Sequence, residues 1–156
     1  MLIARVFMLL TLVVWIGGLI FFAFVLAPTV FTVLPTTVMA GNVVSRSLGI
    51  LHWMGIFSAV VFLLCSLLYS RARFAQLKPL MPVNVFVLLM LALTLVSQFA
   101  ISPRMHVLRA ELGSSISPNE AARVEFDRLH VWSTRLESGV LLLGLGSVVL
   151  TARRFS

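Results

Sequence analysis

Long apolar blocks separated by short polar stretches dominate the chain. Four of them cover residues 6–27, 48–70, 83–101 and 136–152. A hydrocarbon core of about 30 Å is crossed by roughly 20 helical residues. Because backbone polar groups in lipid must be paired within their own segment, these blocks predict transmembrane helices rather than open strands.

The polar stretches between the blocks predict where each helix begins and ends. Pro35 separates the first two helices, and Gly113 is a natural stop for the third. Ser117, Pro118 and Glu120 have the spacing of a capping box at the start of the fourth. We therefore expect an all-α membrane protein, a single domain over residues 1–156, with helices at about 4–34, 37–74, 82–112 and 118–153. Helices this long predict an up-down-up-down bundle that extends beyond the outer membrane face.

Composition and charge agree with this class. The 156 residues are 60% hydrophobic and 11% charged, which leaves too little polar surface for a soluble domain. The net charge of +7 does not indicate a nucleic-acid partner, because the basic residues flank the spans: Arg5, Arg71, Arg73, Lys78, Arg153 and Arg154. The positive-inside rule then predicts an inner (plasma) membrane protein, surrounded by lipid, with both termini in the cytoplasm.

Small residues and aromatic residues predict how the helices pack and how deep they lie. Trp15 is followed by Gly17 and Gly18, a spacing that favours close helix packing, and Gly55 and Ala59 repeat at four residues. Counting about 20 residues from the cytoplasmic ends of the spans places Trp53 and Trp132 at one outer level, as expected for an aromatic belt.

Polar residues gather near the same outer level. The candidate polar site comprises Glu137, His130, Arg104, His52, Arg46, Gln98, Thr134 and His106. Glu137 lies about one turn inside the interface, so we expect it to face the interior and pair with a cation. Arg104 is the first choice of partner, followed by Arg46 and His52. His130 and Thr134 recur at helical spacing with Glu137 and are expected on the same inward face.

The chemistry open to this cluster is limited. No HxxxH or ExxH pair and no motif of a hydrolase or nucleotide enzyme occurs, and Cys65 is the only cysteine. The leading interpretation is therefore a non-enzymatic protein without a cofactor that binds or moves a small solute through the cluster. Two alternatives stay open: a haem-binding electron-transfer protein that uses His52 and His130, and a structural subunit of a larger membrane complex or homo-oligomer.

Several short motifs also resemble a known group. They are Trp15-x-Gly17-Gly18, Ala27-Pro28-x-x-Phe31, Ala40-Gly41, Ser102-Pro103-Arg104-Met105 and Phe126-x-x-x-His130-x-x-Ser133. Together they resemble a small bacterial family of uncharacterised four-helix membrane proteins, which is similar to the animal transmembrane-protein-205 group. The resemblance implies a four-helix fold and no established catalytic residues. Because the animal group is associated with resistance to platinum compounds, it also implies the handling of cationic or metal-containing solutes.

Overall fold

Four long helices make up the described part of the chain. The computed structural model describes residues 2–74, 80–114 and 119–155, and no strand occurs among them. Helix α1 is built from Leu2–Phe21, a π-helical segment Phe22–Leu26, and Ala27–Val33. Helix α2 is Thr37–Phe74. Helix α3 is built from Pro82–Val96, a second π-helical segment Ser97–Ile101, and Ser102–Ser114. Helix α4 is Glu120–Phe155, without a break.

Local chemistry accounts for the helix ends. Leu34 turns to an extended conformation after α1, ahead of Pro35, and the Thr36 hydroxyl then accepts the Met39 N–H at 3.2 Å. At the start of α4, the Asn119 side chain accepts the second N–H of the helix at 3.2 Å. Asn119 is therefore the capping residue of α4, whereas the predicted cap had Ser117 in that position; Ser117 and Pro118 lie outside the described residues.

Each helix is long and apolar enough to cross a membrane. Large apolar side chains cover the outside of the bundle, where Phe24, Phe57 and Leu142 are each 70% exposed or more. Contiguous apolar surface of this kind is too costly in water and is the surface that lipid covers. The predicted class of an all-helical membrane protein with four spans is therefore confirmed.

The core forms where α1 packs on α2 and α4, and α3 packs on α4 and α2. Trp15 is 2% exposed and lies against Gly55, at which a Cβ atom would come within 2.4 Å of the indole Nε1. Gly18 also contributes to packing, since a Cβ there would meet Leu51 at 2.8 Å. The packing role predicted for Gly17 is wrong: nothing lies within 4 Å of its Cβ position, because it faces away from the core.

Polar contacts join the opposite end of the bundle, near the start of α1 and the end of α2. Arg5 and Arg73 each donate to the Tyr69 hydroxyl oxygen, at 2.9 and 3.1 Å. The hydroxyl of Ser66 donates to the Asn84 amide oxygen at 2.6 Å and so connects α2 to α3. Interhelical hydrogen bonds of this kind hold membrane helices together in the absence of a hydrophobic driving force.

Candidate functional site

A cluster of four polar side chains connects α2, α3 and α4 inside the bundle. The ring of His52 is 1% exposed. Its Nδ1 lies 2.8 Å from Gln98 Oε1, and its Nε2 lies 2.7 Å from Glu137 Oε1. The hydroxyl of Ser97 donates to the same carboxylate oxygen at 3.1 Å. His52, Ser97, Gln98 and Glu137 are referred to below as the His52–Glu137 cluster.

Both nitrogens of the His52 ring are held by hydrogen bonds, Nδ1 by the Gln98 amide and Nε2 by the Glu137 carboxyl group. The cluster is therefore a buried histidine–carboxyl pair with additional hydrogen bonds, as a low-dielectric interior requires of buried polar groups.

The π-helical segment Ser97–Ile101 begins with the two side chains that α3 supplies to the cluster. Ser97 contacts Glu137 on α4 and Gln98 contacts His52 on α2, so the two neighbours face different helices, as the roughly 100° between adjacent helical residues allows. Single π turns inside α-helices are frequent at functional sites, and this one carries half of the cluster.

The two oxygens of the Glu137 carboxylate differ in their contacts. Oε1 accepts from both His52 and Ser97. Oε2 makes no hydrogen bond with any residue in ranges 2–74, 80–114 and 119–155, and the side chain retains 16% of its accessible surface. One oxygen thus fixes the carboxylate while the other is open to a ligand.

Arg104 is not the partner of Glu137. Its guanidinium instead forms a two-bond pair with Glu125, at 2.8 and 2.9 Å, on the exposed part of the bundle. The π turn ending at Ile101 precedes Arg104 and rotates the rest of α3 relative to a regular helix. The structure places Glu137 beside His52, which ranked behind both arginines as a partner.

Two predicted neighbours on α4 face outward. His130 is exposed and stacks on Phe126 with ring centroids 6.4 Å apart, and the Thr134 hydroxyl donates to the carbonyl of His130 in its own helix. The buried face of α4 instead runs through Ser133 and Val140, on the other side of Glu137. The shared inward face predicted for His130 and Thr134 is therefore wrong, because Glu137 lies at the margin of the buried face rather than at its centre.

The remaining two candidates also lie apart from the cluster. His106 Nε2 is 3.3 Å from the Ser45 hydroxyl on an exposed part of α2 and α3. Arg46 is exposed and has no hydrogen bond or ion pair with the described residues. Of the eight candidates, the structure thus brings together His52, Gln98 and Glu137. Sequence reasoning missed Ser97, because its small uncharged side chain is common within membrane spans and gave no signal of its own.

The site does not provide the paired axial ligands that the haem alternative requires. Both ring nitrogens of His52 are engaged by Gln98 and Glu137, and His130 is an exposed ring on the outer part of α4. Haem ligation by two histidines needs one free ring nitrogen from each, facing a common plane.

Four membrane-length helices around a buried polar cluster define a four-helix integral membrane protein. The chain belongs to the family of the domain of unknown function DUF4149, whose model matches residues 10–114. The matched region contains His52, Ser97 and Gln98 and ends before Glu137. No curated protein and no solved structure matches the chain. The predicted membership of an uncharacterised family is confirmed, and the similarity to the animal transmembrane-protein-205 group stays a prediction.

Proposed function

We propose that this protein is a non-enzymatic membrane protein that binds a small cation at the His52–Glu137 cluster and moves it across the bilayer. The observation that carries the proposal is the divided role of the Glu137 carboxylate: Oε1 is held by two donors, while Oε2 is open and the side chain is 16% exposed. An acceptor fixed in this way is ready for a cation without rearrangement.

The depth of the cluster supports a functional rather than a purely structural role. Ionisable side chains within membrane spans are costly, and they commonly mark the pathways of ions and solutes. Glu137 and His52 lie on helices that qualify as membrane spans, and the cluster is formed through a π turn. A purely structural ion pair would not require the second oxygen to stay open.

The proposal includes a topology. The helices alternate in direction, both termini lie in the cytoplasm of a cell whose inner (plasma) membrane holds the protein, and the outer ends of the bundle extend beyond the lipid. The basic residues at the termini and after α2 support this orientation. The contact between Arg5 at the start of α1 and Tyr69 near the end of α2 fits neighbouring helices of opposite direction.

The topology is tested by labelling single cysteines in intact cells, in a Cys65→Ala background. An impermeant thiol reagent should label Ser115→Cys, between α3 and α4, and should not label Gln76→Cys, between α2 and α3. If only Gln76→Cys were labelled, the orientation would be the opposite of the one proposed.

Binding is tested by thermal unfolding of purified protein in detergent with NH4+, Na+, K+ or Mg2+ as probes. A cation present at 100 times its Kd should stabilise the wild type by about 2.7 kcal/mol. Glu137→Gln keeps the shape of the side chain and removes its charge, and should abolish the effect. Glu125→Gln, an exposed carboxylate in a pair with Arg104, is the matched control and should retain it. Equal cation effects in wild type and Glu137→Gln would refute the proposed site.

Two other outcomes would replace the proposal. A Soret band in purified protein, lost in both His52→Ala and His130→Ala, would support the haem-binding alternative. Stoichiometric co-purification of other subunits, together with indifference to every cation, would support a structural role in a larger complex.

A further inference from the structure

Buried hydroxyl groups occur on α3 and α4 between the His52–Glu137 cluster and the opposite end of the bundle. Thr94 is 1% exposed, and Ser147 and Thr151 are both 0% exposed. Beyond them, Asn84 is 1% exposed and accepts the hydrogen bond of Ser66. Polar side chains are thus buried between the helices from the outer cluster to the opposite end of the bundle.

The spacing of these groups is regular. Thr94 lies about one helical turn from Ser97 on α3, which corresponds to roughly 5 Å. The Ser147 hydroxyl lies 3.7 Å from the sulfur of Met90, which places it about one turn further inward. Thr151 follows one turn further along α4. Each turn of the bundle therefore holds at least one buried hydroxyl or amide.

Two of these hydroxyls have no hydrogen-bond partner among the described residues: those of Thr94 and Thr151. The hydroxyls of Thr134, Ser138 and Ser147 on α4 instead donate to a carbonyl of their own helix. A buried hydroxyl without a partner is costly, and an ordered water normally relieves the cost. Two hydrogen bonds of about 2.8 Å each, through one water, cover roughly the rise of one helical turn.

We infer that the cation moved by this protein is the proton, and that it travels along this line of buried hydroxyls and intervening waters. The inference rests on the proposed function and names its substrate. A proton arriving on a water beside Thr94 passes to the Ser97 oxygen, while the Ser97 hydroxyl proton moves along its existing hydrogen bond to Oε1 of Glu137. Glu137 then releases a proton on the outer side and returns to the carboxylate, so each oxygen loses one proton as it gains another and no bond to carbon changes.

Packing around the line explains why a proton passes along it, whereas a larger cation can bind at Oε2 of Glu137 but does not pass. Val87, Met90 and Val140 are each 0% exposed and fill the interior beside the hydroxyls. Interiors packed to this density contain few voids larger than single water molecules. A proton needs only a connected file of hydrogen bonds, whereas a metal ion needs a cavity that holds several ligands.

The inference is tested with purified protein in liposomes, by imposing a potassium diffusion potential with valinomycin and following internal pH with a fluorescent dye. The internal pH should change faster in liposomes that contain the wild-type protein than in protein-free liposomes. Thr94→Val keeps the shape of the side chain and removes the hydroxyl, and should lower the proton flux at least tenfold. Thr94→Ser keeps the hydroxyl and should retain most of the flux.

Thr11→Val is the matched control, because the Thr11 hydroxyl donates to the carbonyl of Phe7 on α1, away from the line. Its flux should equal that of the wild type. Folding of every variant is checked by circular dichroism and thermal unfolding before reconstitution. A wild-type flux equal to that of empty liposomes, or an unchanged flux in Thr94→Val, would overturn the proton path. Cation stabilisation lost in Glu137→Gln would in that case still support the proposed binding site, so the two failures are distinguishable.

Discussion

The contact between Trp15 and Gly55 provides a sharp test of the packing. In Gly55→Ala, the new Cβ would lie 2.4 Å from Trp15 Nε1 and 2.7 Å from Cε2, whereas ordinary contact begins at 3.4 Å. The ring or the helix must therefore move by about 1 Å, the difference between 3.4 and 2.4 Å. Trp15 is 2% exposed, so its rigid ring has no open space into which it can turn.

The expected cost follows from two opposing effects. Overpacking a well-packed core costs about 1–3 kcal/mol. Replacing glycine by alanine within a helix gains about 0.5–1 kcal/mol through backbone entropy. Gly17→Ala, on the same helix as Trp15, has open space at its Cβ position and should show the gain alone. Both variants share this gain, so it cancels when their free energies of unfolding are compared. Gly17→Ala should therefore be more stable than Gly55→Ala by about 1–3 kcal/mol.

The measurement is reversible unfolding in mixed detergent micelles, followed by circular dichroism for wild type and both variants. The fluorescence of Trp15, in a background where Trp53 and Trp132 are phenylalanine, reports whether the ring shifts toward lipid. If Gly55→Ala were as stable as Gly17→Ala, the close approach of α1 and α2 would be absent from the folded protein.

Three further substitutions test individual contacts. Gln98→Leu leaves a buried N–H of His52 unpaired and should lower the free energy of unfolding by about 1–3 kcal/mol; a neutral result in thermal unfolding would contradict the hydrogen bond. Arg109→Ala removes the hydrogen bond of 2.8 Å from the guanidinium to the Gly41 carbonyl, and should speed amide hydrogen exchange in the first turns of α2. Unchanged exchange there would contradict this role of Arg109. Asn119→Ala removes the cap of α4 and should cost about 1 kcal/mol in chemical unfolding, whereas unchanged stability would show that another group caps the helix.

The predicted site shows where sequence reasoning reaches its limit. Glu137 could be assigned an inward, paired position from its depth alone, because lipid penalises an isolated carboxylate wherever the helix happens to face. Its partner could not be assigned in the same way. Arg104, Arg46 and His52 were all near the right level, and the choice between them depended on the rotation of α2 and α3 about their axes.

The π turn in α3 accounts for one of the errors of position. Arg104 was the first choice of partner because it ends the third helix at nearly the level of Glu137. The wider turn Ser97–Ile101 rotates the residues after it relative to a regular helix, and Arg104 reaches Glu125 instead. Both π segments end two residues before a proline, Pro28 or Pro103, and the proline ring excludes the carbonyl of the residue four positions before it. The sequence therefore carries a local signal that regular helical spacing does not take into account.

The sequence by itself determined that this chain forms four membrane helices, approximately where each begins and ends, and that Glu137 must turn inward. These properties follow from the local balance between apolar length, backbone hydrogen bonding and the cost of charge in lipid. Only the tertiary structure decided that His52 is the partner of Glu137, that Gly55 rather than Gly17 receives Trp15, and that the hydroxyls of Thr94 and Thr151 are buried without a partner among the described residues. The reason is physical: those contacts depend on how each helix is rotated against its neighbours, and that rotation is a property of the whole packed bundle.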